Sequence, residues 1–150
     1  MADIVSPAVR SRMMAGIRAK NTKPEMVVRR RLHAMGFRYR LHDRKLPGKP
    51  DLVLPKYRSV IFVNGCFWHG HECANFKWPK TREGFWREKI GRNKVNDAKN
   101  SASLLALGWR TLVIWECAIK RQRDAALLEL FDQCRDWLKS RCDSLVIGAR

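Results

Sequence analysis

The stretch Leu46-Pro47-Gly48-Lys49-Pro50-Asp51-Leu52-Val53-Leu54-Pro55-Lys56-Tyr57-Arg58-Ser59-Val60-Ile61-Phe62-Val63 decides the fold. Its first five residues form a turn, because proline presets φ and glycine reaches conformations closed to other residues. Asp51 to Leu54 leaves the turn as a short strand, and Pro55 to Arg58 is brief enough to be a hairpin connection. Ser59 to Val63 is the most hydrophobic β-run of the chain, so both of its faces are expected to be buried.

Upstream of this hairpin, Phe37, Tyr39 and Leu41 alternate with Arg38, Arg40 and His42, the pattern of a half-buried strand. Before it, Thr22 and Glu25 have capping-box spacing. Val28, Leu32 and Met35 then form the apolar stripe of a helix that Gly36 ends, with Arg29 to Arg31 beside it as a solvated face. Ser6-Pro7 predicts an earlier helix start, followed by Val9, Met13 and Ile17 at helical spacing.

Downstream lies a polar, aromatic loop from Asn64 to Lys80. Helix returns from about Thr81, with Ile90, Val95, Ala98, Ala102 and Leu105 expected inward and Gly108 as the stop. Thr111 to Trp115 is a second buried strand, parallel to an earlier one through the helical crossover, and Trp109 and Trp115 are assigned to the core. A last helix spans Asp124 to Lys139, with Leu127, Leu128, Phe131 and Leu138 inward. The order α-α-β-β-β-α-β-α predicts an α/β fold with a mixed central β-sheet flanked by helices. Residues 1–150 read as one domain, with 1–20 as a basic N-terminal arm.

The chain has 31 Lys and Arg against 14 Asp and Glu, a net charge of +17. A field of that sign attracts polyanions, and nucleic acid is the first candidate. With 45% hydrophobic and 30% charged residues the composition is globular rather than disordered. No apolar run approaches the roughly 20 residues of a membrane-spanning helix, and Met1 to Lys20 is unlike a secretory signal. Five cysteines, an odd number, fit a cytosolic setting with reduced thiols.

Such thiols are better read as metal ligands than as disulfides. Cys66, His71 and Cys73 lie within eight residues, straight after a buried strand. Zinc prefers thiolate and imidazole in a closed tetrahedron, which points to a structural site. Cys117 is the best fourth ligand, because it ends the strand that neighbours this loop. Cys134 falls in a helix at core spacing, and Cys142 lies in a polar tail. His69 is an alternative to His71, since both lie close before Cys73.

Asp51 at a strand start, with a second strand following, is the outline of a PD-(D/E)xK nuclease, in which an Asp and then an acid and a lysine converge on a metal. The second half is absent: Phe62 stands in the acid's place and Asn64 in the lysine's. His69, held rigidly among the metal ligands, is the residue able to act as general acid or base in their stead.

Three segments together are specific: Leu46 to Asp51, Val63-Asn64-Gly65-Cys66-Phe67-Trp68-His69-Gly70-His71-Glu72-Cys73, and Phe85-Trp86-Arg87-Glu88-Lys89-Ile90. With Gly108-Trp109-Arg110 and Ile114-Trp115-Glu116-Cys117 they closely resemble, in order and spacing, the very-short-patch repair (Vsr) endonucleases. The likeness covers most of the chain and fades over the last thirty residues.

The resemblance implies a monomeric DNA endonuclease in the cytoplasm, beside the nucleoid, with a PD-(D/E)xK-like core. It would nick one strand of double-stranded DNA 5′ to the T of a T:G mismatch left by deamination of 5-methylcytosine, working beside other repair proteins. By position, Asp51 and the backbone carbonyl of Val63 would hold Mg²⁺, with Glu25 supporting the metal through water. His69 would be the acid–base residue and Asp97 its orienting partner, and Cys66, His71, Cys73 and Cys117 would hold Zn²⁺. Phe67, Trp68 and Trp86 would wedge into the duplex, and the N-terminal helix with Met14 would reach the minor groove.

One position departs from the pattern: the best-known members carry histidine where this chain has Asn64. Asparagine cannot shuttle a proton, although it can donate a hydrogen bond to a phosphate oxygen. Two rival readings follow, a non-catalytic mismatch-binding module and a related nuclease for another lesion or site. Taken by themselves, Glu25 is also the residue that closes a capping box, Asp97 reads as a solvated helix residue, and Trp86 could be core. His33 and His42 carry no assignment.

Overall fold

The computed structural model describes residues 21–74 and 76–148. The expected first helix, with Met13, Met14 and Ile17, lies outside the described residues. In chain order the elements are α1 (Lys23–Ala34), β1 (Arg40–Leu41), β2 (Leu52–Leu54), β3 (Ser59–Asn64), α2 (Glu83–Ala106), β4 (Arg110–Trp115), α3 (Asp124–Leu138) and β5 (Ser144–Ile147). They form one mixed sheet in the order β1-β2-β3-β4-β5. The β1–β2 and β2–β3 pairs are antiparallel, and β3–β4 and β4–β5 are parallel.

The period-2 alternation of the strands sorts the core into two layers. On one face Leu52, Leu54, Ile61, Leu112 and Ile114 pack with Val28 and Leu32 of α1 and Phe131, Trp137 and Leu138 of α3. On the other, Val53 and Val60 meet Leu104 of α2 and Trp109 in a much smaller cluster. Each large side chain so buried contributes about 1.5–3 kcal/mol, so most of the apolar stabilisation lies on the α1/α3 face. The molecule is therefore a three-layer α/β/α sandwich. No described helix is long and apolar enough to cross a membrane.

The hairpin and the parallel crossover match the sequence reading, and four details differ. Phe37 does not pair in a strand. Its N–H donates to Leu32 O at 3.0 Å while Gly36 takes φ +96°, so both residues close the C-terminus of α1. On α2 the inward apolar positions are Ile90 and Leu104, whereas Val95, Ala98, Ala102 and Leu105, all expected inward, are exposed. On α3, Leu128 is exposed and Leu130, Cys134 and Trp137 are buried instead. Finally, the polar tail that carries Cys142 runs on into β5. β5 is an edge strand of alternating exposure, and Arg110 fastens the turn before it by donating to Leu138 O at 2.7 Å and Cys142 O at 3.1 Å.

Candidate active site and metal centre

The parallel register of β3 and β4 ends at Asn64 opposite Trp115. Cys66 and Cys117 each follow two positions later, so the sheet delivers both to the same edge. There the ligand atoms of Cys66, His71, Cys73 and Cys117 all lie within 4.8 Å of one another. Cys117 Sγ is 3.5 Å from His71 Nδ1, close to the roughly 3.6 Å between a sulfur and a nitrogen corner of a zinc tetrahedron. Burial pushes the Cys66 thiol far up, with Cys73 and Cys117 adding to the rise, and burial lowers His71. Thiols so crowded need a cation to ionise, and the four residues could hold one. Cys134 is buried in α3 and Cys142 is exposed, both outside this cluster.

The loop is braced from both sides. Cys66 N–H donates to Glu116 Oε1 at 3.0 Å, and Asn93 Nδ2 of α2 donates to Trp68 O at 2.8 Å. Trp115 is half-buried rather than core, and it stacks on His71 at 4.2 Å. Gly70, at φ +64°, lets the loop lie on α2, since a Cβ there would stand 2.7 Å from Ile90 Cγ2.

Beside this centre opens a cavity of about 950 Å³, lined by Glu25, His42, Asp51, Asn64, His69 and Asp97 among others. Each comes from a different local cause. The Leu46–Lys49 turn closes with a 3.1 Å bond and brings Asp51 to the position just before β2. Gly48 (φ +76°) packs where a Cβ would stand 3.1 Å from Phe62. Asp51 Oδ2 accepts from Val63 N–H at 2.7 Å. Burial, and next the neighbouring Glu25, raise Asp51 from 3.8 to about 7 despite that bond.

Glu25 is only 2% exposed. Its N–H donates to Thr22 Oγ1 at 3.3 Å, half of the expected capping box, while its own carboxylate accepts from Asn21 N–H at 3.2 Å. Its other oxygen faces Arg29 at 3.3 Å and His42 at 2.8 Å. Glu25 is thus both a cap residue and a lining residue of the cavity.

His69 comes from the metal loop and Asp97 from α2, and their Nδ1···Oδ2 separation is 2.6 Å. Asp97 is therefore paired rather than merely solvated. Asn64, 9% exposed, lines the same cavity at the end of β3. At its rim Phe67, Trp68 and Trp86 form an aromatic cluster with ring centroids 5.1 to 5.6 Å apart. Phe76 joins by stacking on Phe67 at 6.0 Å, and Arg87 lies over Trp78 at 4.3 Å. Met14 lies outside the described residues.

Sequence reasoning missed His42, Asn93, Glu116, Phe76 and Trp78. Glu116 is flagged only by standing next to Cys117. The others carry no local signal, because tertiary packing brings them to the site.

The profile of the family described as DNA mismatch endonuclease Vsr matches residues 2–75. The chain is 41% identical to DNA mismatch endonuclease Vsr of Escherichia coli, covering 92% of this chain and 88% of that protein. It is 48% identical to the type II nicking enzyme V.XorIIP of Xanthomonas oryzae pv. oryzae, over 79% of this chain and 88% of the relative. Its identity to the type II nicking enzyme V.NmeAIP of Neisseria meningitidis is 46%, over 81% and 87%.

Proposed function

The chain belongs to the Vsr family of DNA mismatch endonucleases, and on that premise we propose that it nicks one strand of duplex DNA 5′ to the T of a T:G mismatch. One observation carries the reading: Asp51, Glu25, Asn64 and the His69–Asp97 pair converge on one cavity rimmed by aromatic rings, in a chain of net charge +17. Residues 1–150 then act as one endonuclease domain on a PD-(D/E)xK-like core, with Asp51 just before β2, beside β3.

Asp97 accepts the Nδ1 proton of His69 and so leaves Nε2 as the proton acceptor, suited to take a proton from an attacking water. Asn64 donates its amide hydrogens to a phosphate oxygen, a role that needs no titration. Asp51 and the carbonyl of Val63 would hold Mg²⁺. The Val63 N–H already meets Asp51, and in a strand the carbonyl of the same residue points to the same side. Bound there, the ion would supply charge stabilisation at the scissile phosphate. Zinc at Cys66, His71, Cys73 and Cys117 is structural, because four protein ligands leave no open position.

Phe67, Trp68 and Trp86 wedge between base pairs. Unstacking costs a few kcal/mol and least at a mismatch, which favours mismatched sites. Met14 would meet the opposite groove, and Lys and Arg would supply salt-dependent phosphate affinity.

The test is strand-specific nicking of a labelled T:G duplex with Mg²⁺, beside a T:A control and Asp51→Ala. A single nick 5′ to the T, reduced at least about a hundredfold in the variant, is expected. Mismatch binding without a nick, across varied flanking sequences, would overturn the enzyme and leave a binding module. Since two close relatives are named type II nicking enzymes, the panel of flanking sequences also decides between a general repair context and one restriction-site context.

A further inference from the structure

His42 lines the cavity, and the proposed reaction leaves it unused. The fold nevertheless fixes it firmly. It follows β1 in a left-handed backbone conformation, φ 48°, and its N–H donates to Asp51 O at 3.0 Å. Its position is therefore tied to Asp51 through the main chain. Its Nε2 lies 2.8 Å from Glu25 Oε2, and its side chain is 16% exposed. Glu25, His42 and Asp51 each offer one ligand atom, all within 4.8 Å of one another.

These separations have a recognisable scale. Ligands about 2.1 Å from an octahedral ion lie about 3.0 Å apart when adjacent and about 4.2 Å apart when opposite. The His42–Glu25 contact is close to an adjacent pair, and the outer limit needs only small side-chain rotations. Two carboxylates and an imidazole converging from three segments are the donors of a first-row divalent cation, and of the three Arg29 pairs with Glu25, sharing its Nη1 with Asn21.

We propose that Glu25, His42 and Asp51 together form a mixed nitrogen–oxygen cation site that prefers Mn²⁺ to Mg²⁺. The inference rests on the cleft being the nuclease site for its purpose, and adds Glu25 and His42 as direct ligands beside Asp51 and the Val63 carbonyl, with a metal preference. Magnesium is a hard ion bound through one or two carboxylates and retained waters, and gains little from imidazole. Manganese accepts the same oxygens and sits at the foot of the series in which nitrogen donors strengthen binding. His42 binds as the neutral imidazole, with Nε2 turned from Glu25 to the ion and the proton on Nδ1.

The experiment uses the full-length, zinc-loaded protein without DNA. Mn²⁺ binding is titrated by the loss of the free-ion electron paramagnetic resonance signal, Mg²⁺ is added as competitor, and pulsed spectra are searched for nitrogen coupling. One Mn²⁺ per chain is expected, held at least about tenfold more tightly than Mg²⁺, the lower end of what a single supporting ligand is worth. Nitrogen coupling should be present in the parent and absent in His42→Gln, which should lose the Mn²⁺ preference but keep Mg²⁺ binding. Asp51→Asn should lose the bound Mn²⁺, which separates the cleft from any exchange at the cysteine cluster.

Absence of nitrogen coupling in the parent protein would overturn the proposal without recourse to any variant. Unchanged Mn²⁺ preference in His42→Gln would do the same. Nitrogen-coupled Mn²⁺ in a protein that nicks no mismatch would sink the functional reading alone, and nicking without nitrogen coupling would sink only this one.

Discussion

Two clusters of metal-type donors flank the end of β3, and they are built in opposite ways. The cysteine cluster takes three of its four ligands from one short loop and closes on itself. The carboxylate cluster draws Glu25 from the first turn of α1, His42 from beyond β1 and Asp51 from just before β2, and it opens onto the cavity. The first crowds three donors into eight residues and draws its fourth, Cys117, from the far side of α2. The second lies within residues 25–51, but each donor comes from a separate segment, and it faces the cavity. Crowding of donors in one loop and openness to the cavity thus run against each other in this molecule.

The sharpest way to break the comparison is Cys117→Ala. If the cysteine cluster is structural, the variant loses its zinc, and its Tm falls by more than roughly 10 °C. Metal content and calorimetry check this. A variant that keeps its Tm and its zinc would make the two clusters alike.

A smaller effect is expected at the hinge between the clusters, where His69 rides on the metal loop but serves the cavity. His69→Ala should lower nicking about a hundredfold or more, the usual range for a general base. Asp97→Asn, which only unsettles the ring tautomer, should cost about tenfold with DNA affinity and zinc unchanged. Single-turnover rates measured beside mismatch binding distinguish the two, and an equal loss of binding would assign the pair to recognition.

The smallest effect concerns stability. Asp51 is raised from 3.8 to about 7, first by burial and then by Glu25. Between those values the folded chain binds more protons than the unfolded one, so stability falls as pH rises from about 4 to 7 and levels off above. Asp51→Asn keeps an acceptor for Val63 N–H without the charge. Without added Mg²⁺ or Mn²⁺, its Tm advantage over the parent should grow across that interval to roughly 5 °C. Thermal melts from pH 4 to 8 check the slope, and an advantage independent of pH would refute the electrostatic origin.

Much of this was legible in the sequence because it is local. Thr22 and Glu25 announce a helix start, the Pro-Gly turn announces the hairpin, and the Cys66–Cys73 loop with Cys117 announces a metal centre. Periodicity failed where function changed the composition of a buried face. The side of α2 that faces the cavity carries Asn93 and Asp97, so the apolar pattern pointed instead to Val95 and Leu105, which are exposed. The place of His42 is equally hidden, since nothing near it in the chain predicts that it meets Glu25. β5 escaped notice because an edge strand beside a polar turn needs only alternate apolar residues.

The whole of α2 lies between Cys66 and Cys117, and only Ile90 and Leu104 of its apolar residues are buried. Helix, aromatic rim and His69 therefore hang on one loop of chain, which a metal on the four donors would clasp into a ring. Oxidation of a single clasp thiol would loosen the blade and the reading head in the same event. A protein that cuts DNA is safest when damage cannot leave it cutting without discrimination, and such a ring would make the two capacities fail together.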